Sequence, residues 1–213
     1  MTELHLFDMD GTLLRGTSAS LQVATLLGVG AELLAMEADL AAGRLDPPGF
    51  AVGIHALWHA LTPDHVAEAF AASPWLSGIT EVCADIRARG GRTAVITLSP
   101  DFFATLLCGL GVDEVVASRF PALPFRTPID PAGILVPEAK VRAAEELRLR
   151  HGLPVSRVVA YGDSHSDVPL FRHLDHTVAV NADSHLTALA ALSYEGDSLP
   201  DAYALARTLL DPT

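Results

Sequence analysis

Apolar positions along this chain switch repeatedly between two periods. Short continuous runs that read as buried strands are followed by stretches with apolar residues at helical spacing. The first run is Leu4–Phe7. Ile79, Val82, Cys83 and Ile86 then form a helical stripe that Gly90-Gly91 ends. Thr93–Thr97 reads as a second buried strand, rich in β-branched residues. Ser99 followed by Pro100 looks like an N-cap with proline at the first helical position. Phe102, Phe103, Leu106, Leu107 and Leu110 would give that helix its apolar stripe. Residues 114–117 read as a third strand, and Pro137 opens a helix that runs to about Arg150 and closes at Gly152. Val158–Tyr161 is a fourth strand, ending at Gly162-Asp163, and Thr177–Val180 a fifth. Strands alternating with helices predict an α/β fold, a Rossmann-like doubly wound parallel sheet.

Residues 15–77 break this rhythm. They are rich in Ala and Leu at helical spacing, without a convincing strand, and Pro47-Pro48-Gly49 and Thr62-Pro63-Asp64 punctuate them into short helices. They predict a small helical cap inserted between the first strand and its partner helix, with Ser77-Gly78 marking the return. The expected domains are therefore a core of 1–14 with 78–213 and a cap of 15–77. The long Pro-rich link from Phe120 to Pro137 is either a flap near the site or an inert surface excursion.

The chain has 213 residues, enough for one good core with a small insertion, and half of them are hydrophobic. Its formal net charge of −12 speaks against nucleic acid and against anionic membrane surfaces. A small anionic substrate is still compatible, because one cation and a few N–H groups can reverse the field inside a cleft. Cys83 and Cys108 form no CxxC pair, which fits a reducing cytosol better than a disulfide scaffold or a zinc cluster. The N-terminal residues lack a basic n-region, so no signal peptide is expected, and no apolar run is long enough to span a bilayer. A monomer or homodimer is expected.

The first strand ends in Asp8-Met9-Asp10-Gly11-Thr12. Two acids at the tip of a buried strand are costly unless a cation or a reacting group meets them. Like charges this close also separate in pKa, so that one can stay ionised while the other carries a proton. A strand followed by an ordinary Asp-Gly turn would look the same in isolation. Further groups sit where strands end or helices begin: Thr97, Lys140, and Asp163 with Asp167 in Gly162-Asp163-Ser164-His165-Ser166-Asp167. In an open parallel sheet such positions converge on one edge. Each has a bland alternative (a strand threonine, a solvated lysine, a turn, a helix cap), but their ordered combination does not.

On these residues the chain resembles the haloacid dehalogenase-like superfamily, in the branch similar to phosphoserine phosphatase. Asp8-x-Asp10-Gly11-Thr12 resembles the first motif, the Val95-Ile96-Thr97 strand end the second, Lys140 the third, and Gly162-Asp163-x-x-x-Asp167 the fourth. The resemblance implies a phosphatase acting on a small-molecule phosphomonoester through an aspartyl-phosphate. Asp8 would be the nucleophile and Asp10 the general acid and base, with Thr97 and Lys140 as the other catalytic and phosphate-binding groups. It implies Mg²⁺ held by Asp8, the Asp10 carbonyl and Asp163, with Asp167 at the metal or beside it. A phosphomutase of the same superfamily or an inactive binding module are the alternatives.

Phosphoserine-cleaving relatives usually carry a Glu where Thr17 stands here, and Thr17 cannot pair with a substrate ammonium. Arg15, between core and cap, would meet an anionic leaving group or only solvent. His55 and His59 share one helix face, where packing or solvation outranks substrate contact and metal binding. Trp58 and Trp75 read as cap core or pocket lining, and His165 as a group at the site entrance or simply exposed.

Overall fold

In a computed structural model, the protein is described over residues 3–211; residues 1, 2, 212 and 213 of the expected core lie outside them. Six strands form one sheet: β1 (Leu4–Phe7), β2 (Arg92–Pro100), β3 (Glu114–Ser118), β4 (Val158–Gly162), β5 (Thr177–Val180) and β6 (Leu192–Tyr194). Their order is β3-β2-β1-β4-β5-β6, and every neighbouring pair is parallel. This is the doubly wound order, in which chain direction reverses beside β1 and opens a crevice at the C-terminal ends of β1 and β4. The edge strand β6 was not legible in the sequence. Its three residues are too few for a periodic signal, and none of them is fully buried.

β1 is buried along its whole length, as a central strand must be. Its side chains alternate between two cores. Leu4 and Leu6 join Ala143, Ala144 and Leu147 of the helix α7 (Pro137–Arg150) on one face. Phe7 joins Val82 and Ile86 of α5 (Ile79–Ala88) and Ala202 and Ala206 of α8 (Leu199–Leu210) on the other.

The inserted segment folds as helices α1 (Ala19–Leu26), α2 (Gly30–Ala41), α3 (Pro47–Leu57) and α4 (Pro63–Ala72). The expected punctuation sets their starts. Asp46 caps α3 ahead of Pro47 and Thr62 caps α4 ahead of Pro63. The two chain crossings between core and insertion hydrogen-bond each other, Arg15 N–H to the Pro74 carbonyl (3.0 Å) and Leu76 N–H to the Leu13 carbonyl (2.9 Å). Trp58 and Trp75 both pack into the hydrophobic core.

Two expectations need correction. β2 does not stop at Thr97 but runs to Pro100, through an irregularity in its register with β3 between Ile96 and Pro100. Ser99 is therefore a strand residue and not an N-cap. The following helix, α6 (Asp101–Ala104), is one turn long and passes into 3₁₀ turns over Thr105–Leu110. Thr105 donates its hydroxyl to the Asp101 carbonyl (2.8 Å), a local bond that competes with regular helix. Of the expected stripe, Phe103 and Leu107 are buried and Leu106 is exposed.

Candidate active site

The tips of β1 and β4 carry the acids. Asp8 follows β1 and is almost fully buried, its N–H bonded to the Tyr161 carbonyl at 2.9 Å. Asp163 follows β4 and faces it. Lys140, in the first turn of α7, is 1% exposed. It donates to Asp8 Oδ1 at 2.6 Å, to Asp167 Oδ1 at 2.6 Å and to Ser166 Oγ at 3.2 Å. A lysine at the positive end of a helix is unfavourable for the dipole; here two carboxylates more than compensate and hold its pKa above the ordinary value despite burial.

Asp167 is committed on both oxygens. Oδ2 accepts from the backbone N–H groups of Asp163 (3.1 Å) and Ser164 (3.4 Å). It thereby shapes the loop that presents Asp163. Two glycines make the close approach possible. A Cβ on Gly162 would collide with the Asp167 carboxylate, and one on Gly11, which is left-handed at φ 76°, would collide with that of Asp163.

Asp10 stands in a different environment. Its Oδ1 accepts from the N–H of Ala19, the first residue of α1, at 2.6 Å. Its Oδ2 accepts from Ser99 Oγ at 2.5 Å and from Thr97 Oγ1 at 3.4 Å. Thr97 is fully buried and also accepts from the Ser99 N–H at 3.1 Å. Thr97 and Ser99 are two apart in β2, so strand alternation sets both hydroxyls on the face that meets Asp10. Burial raises the Asp10 pKa, against the pull of the donors Ser99 and Ala19.

The charges do not balance. Burial pushes the Asp8 carboxyl up; Lys140 pulls it back, and Asp167, Asp163 and Asp10 push it up again. Burial followed by Asp167 lifts Asp163 to about 7. Among the described residues, Asp163 has no basic side chain at ion-pair distance and takes only a long hydrogen bond from Thr12 Oγ1 (3.4 Å) on its carboxylate, besides Ser164. Asp8, Asp163 and Asp167 offer oxygens within 4.8 Å of one another. That is a donor set for a hard divalent cation.

Beside these acids opens a cleft of about 490 Å³, lined by Asp10, Gly11, Arg15, Thr17, Asp163 and Asn181 among others. Arg15 is half-exposed at its edge, with Asp197 3.8 Å away. Thr17 accepts from Gln22 Nε2 at 3.0 Å. His55 lies away from the acids, stacked on Phe125 and bonded through Nε2 to the Thr127 carbonyl at 3.0 Å, while His59 and His165 are exposed. The Pro-rich link is thus a cover packed on the helical insertion and not an inert excursion. Neither Ser99 nor Asn181 was read from the sequence as a site residue. Asn181 follows β5 at the same sheet edge, a positional signal that was available. Ser99 had none, because the continuation of the strand past Thr97 is decided by pairing with β3.

Residues 5–172 match the haloacid dehalogenase-like hydrolase family, and the chain belongs to that family. It is 27% identical over 210 residues to phosphoserine phosphatase SerB1 of Mycobacterium tuberculosis strain H37Rv, covering 89% of this chain and 68% of that protein. A putative hydrolase, MT0526, of M. tuberculosis strain CDC 1551 matches to the same extent. Among solved structures, a substrate-bound phosphoserine phosphatase complex superposes with a TM-score of 0.80 at 22% identity, over 96% of this chain and 98% of that one. A phospho-aspartyl intermediate analogue of phosphoserine phosphatase gives 0.78 at 22% identity, with the same coverage. These likenesses establish a shared fold: a parallel-sheet core with an inserted helical subdomain.

Proposed function

We propose that this chain is a Mg²⁺-dependent phosphatase that hydrolyses a small-molecule phosphomonoester through an aspartyl-phosphate on Asp8. One observation carries the proposal: two carboxylates a residue apart are held in opposite settings. Asp8 is fixed by an ammonium inside a cluster of acids, while Asp10 is fixed by hydroxyls and one N–H and stays off that cluster. The first setting suits a nucleophile and the second a group that gives and takes a proton.

Asp8 attacks phosphorus in line, forming one O–P bond as the ester O–P bond breaks. Asp10 gives its proton to the departing alkoxide. It then takes a proton from water, whose oxygen bonds to phosphorus and frees Asp8. Lys140 fixes Asp8 and offsets charge on the transferring group. Thr97 and Ser99 keep Asp10 aligned, and Asp167 positions both Lys140 and Asp163. Asp8, Asp163 and the Asp10 carbonyl would hold Mg²⁺, with Asp167 beside them; the ion supplies charge neutralisation at the phosphoryl oxygens. Residues 15–77 act as the cap that selects the leaving group and excludes water, with Arg15 and Thr17 at the substrate. Two free cysteines, one of them exposed, fit a reducing, cytosolic setting.

A phosphomonoester panel assayed with Mg²⁺ in ¹⁸O-water tests this. The expected result is turnover that EDTA abolishes, with label in the released phosphate. Transfer of the phosphoryl group to a sugar without labelled phosphate would make the protein a mutase. No turnover of any ester would overturn the enzymatic reading.

A further inference from the structure

A second chamber, of about 190 Å³, adjoins the cleft between core and helical insertion. Ser18 lines both, and Ser99, which lines the chamber, holds Asp10. The chamber borders the Asp10 carboxylate across Ser99. Its walls are apolar: Leu40 from α2, Phe50 and Ile54 from α3, and Phe120 and Leu135 from the Pro-rich link. Among the described residues no lining group is basic, and Glu37 of α2 is the one acid. Glu37 meets the Ser18 hydroxyl and the repulsive field of Asp10 but no cation, and burial first of all raises its pKa. Glu37 is half-buried, so its carboxylate is only partly hydrated beside the apolar wall and gains from a cationic ligand. A carboxylate-bearing alcohol such as serine would find nothing to pair with in this chamber.

We propose that this chamber holds the alcohol part of the substrate and selects a carboxylate-free phosphomonoester whose short apolar chain ends in an ammonium group, with Glu37 as its counter-ion. The assignment of substrate class rests on the phosphatase reading above.

The test uses the full chain with Mg²⁺ and three sets of esters: ω-aminoalkyl phosphates of two to six carbons, alkyl phosphates of matching length, and O-phosphoserine. The best aminoalkyl ester should exceed both its alkyl partner and O-phosphoserine by about tenfold or more in kcat/KM. Glu37→Gln should remove that advantage, lowering kcat/KM for the aminoalkyl ester about 10- to 100-fold, largely through KM, and leave the alkyl ester unchanged. An equal loss on both series, or a preference for O-phosphoserine, overturns the proposal while leaving the phosphatase intact. Calorimetry with 4-aminobutan-1-ol and butan-1-ol separates the two readings. If no ester is turned over but the amino alcohol binds tighter than the alcohol in a Glu37-dependent way, the chamber assignment stands and the catalytic reading fails. If neither alcohol discriminates, the chamber assignment fails too.

Discussion

Two polar clusters, each built on a buried acid, occupy opposite ends of β1, and they differ in charge balance. At the N-terminal end Glu3 meets Arg157 at 3.1 Å, Arg207, and His5 at 3.3 Å, and Asp211 faces the same two arginines. His5 is held neutral by burial and hydrogen-bonds Tyr161 OH at 2.9 Å. Two acids face two permanent cations, and the cluster closes on itself, tying the first strand to the last helix. At the C-terminal end three acids, Asp8, Asp163 and Asp167, gather around Lys140, their one cation among the described residues, with Asp10 beside them on hydroxyls and an N–H. A cluster with matched charges is a structural clasp. One with surplus charge is stable only with a partner from outside, which is the physical signature of a site.

The comparison can be broken most severely at Asp8. Asp8→Asn should lower turnover by about 10⁴-fold or more while the chain stays folded, since it removes the nucleophile and also relieves acid crowding. Steady-state rates beside circular dichroism check this; near-normal activity would remove Asp8 from its role. At the other end, Glu3→Gln should cost about 3 kcal/mol of stability by leaving two half-buried arginines under-compensated. Turnover at a permissive temperature should hold, as measured by urea unfolding and assay side by side.

Mg²⁺ should act on one end only. At 100 times its Kd it should stabilise the wild type by about 2.7 kcal/mol, a rise in Tm of roughly 5–10 °C. Asp163→Asn should lose most of that gain and Glu3→Gln should keep it.

The two ends should also respond to pH with opposite sign in metal-free protein. Burial pushes the Glu3 carboxyl up, but His5 and Arg207 outweigh it and hold it at about 2, below its ordinary 4.5. Its contribution is therefore present above pH 4.5 and is lost as pH falls towards about 2. Asp163 is lifted from 3.8 to about 7, so the native chain keeps a proton that the unfolded chain releases. Stability from that site falls as pH rises through this window, and Mg²⁺ should abolish the fall. Urea titrations across pH in EDTA and in Mg²⁺, with Glu3→Gln and Asp163→Asn, separate the two contributions. The smallest effect belongs to Ser99→Ala. Loss of its donor should raise the Asp10 pKa further and cost a few-fold in kcat, read as a shifted limb of the pH–rate profile.

Much of the core was legible because local signals agreed with one another. Proline after Asp46 and Thr62 marked helix starts, apolar runs marked buried strands, and the acids fell at strand ends. The clasp around Glu3 carried no such signal. Its partners Arg157 and Arg207 lie far along the chain, and nothing local distinguishes them from solvated arginines. Ser99 misled for a related reason: Ser-Pro is a good helix start, and strand pairing overrode it.

Amino-acid order alone determined the kinds of element and the insertion of helices after the first strand, and it marked Asp8, Asp10, Thr97, Lys140, Asp163 and Asp167 as candidates at strand and helix ends, because those features depend on short-range periodicity and on residue chemistry. Tertiary structure alone decided which acids share one lysine, which carboxylate is left without a counter-charge, and that Glu37 and Ser99 border a common chamber. Those are properties of distances between remote segments, and the electrostatic cost of a buried charge is set by what stands within a few ångströms of it.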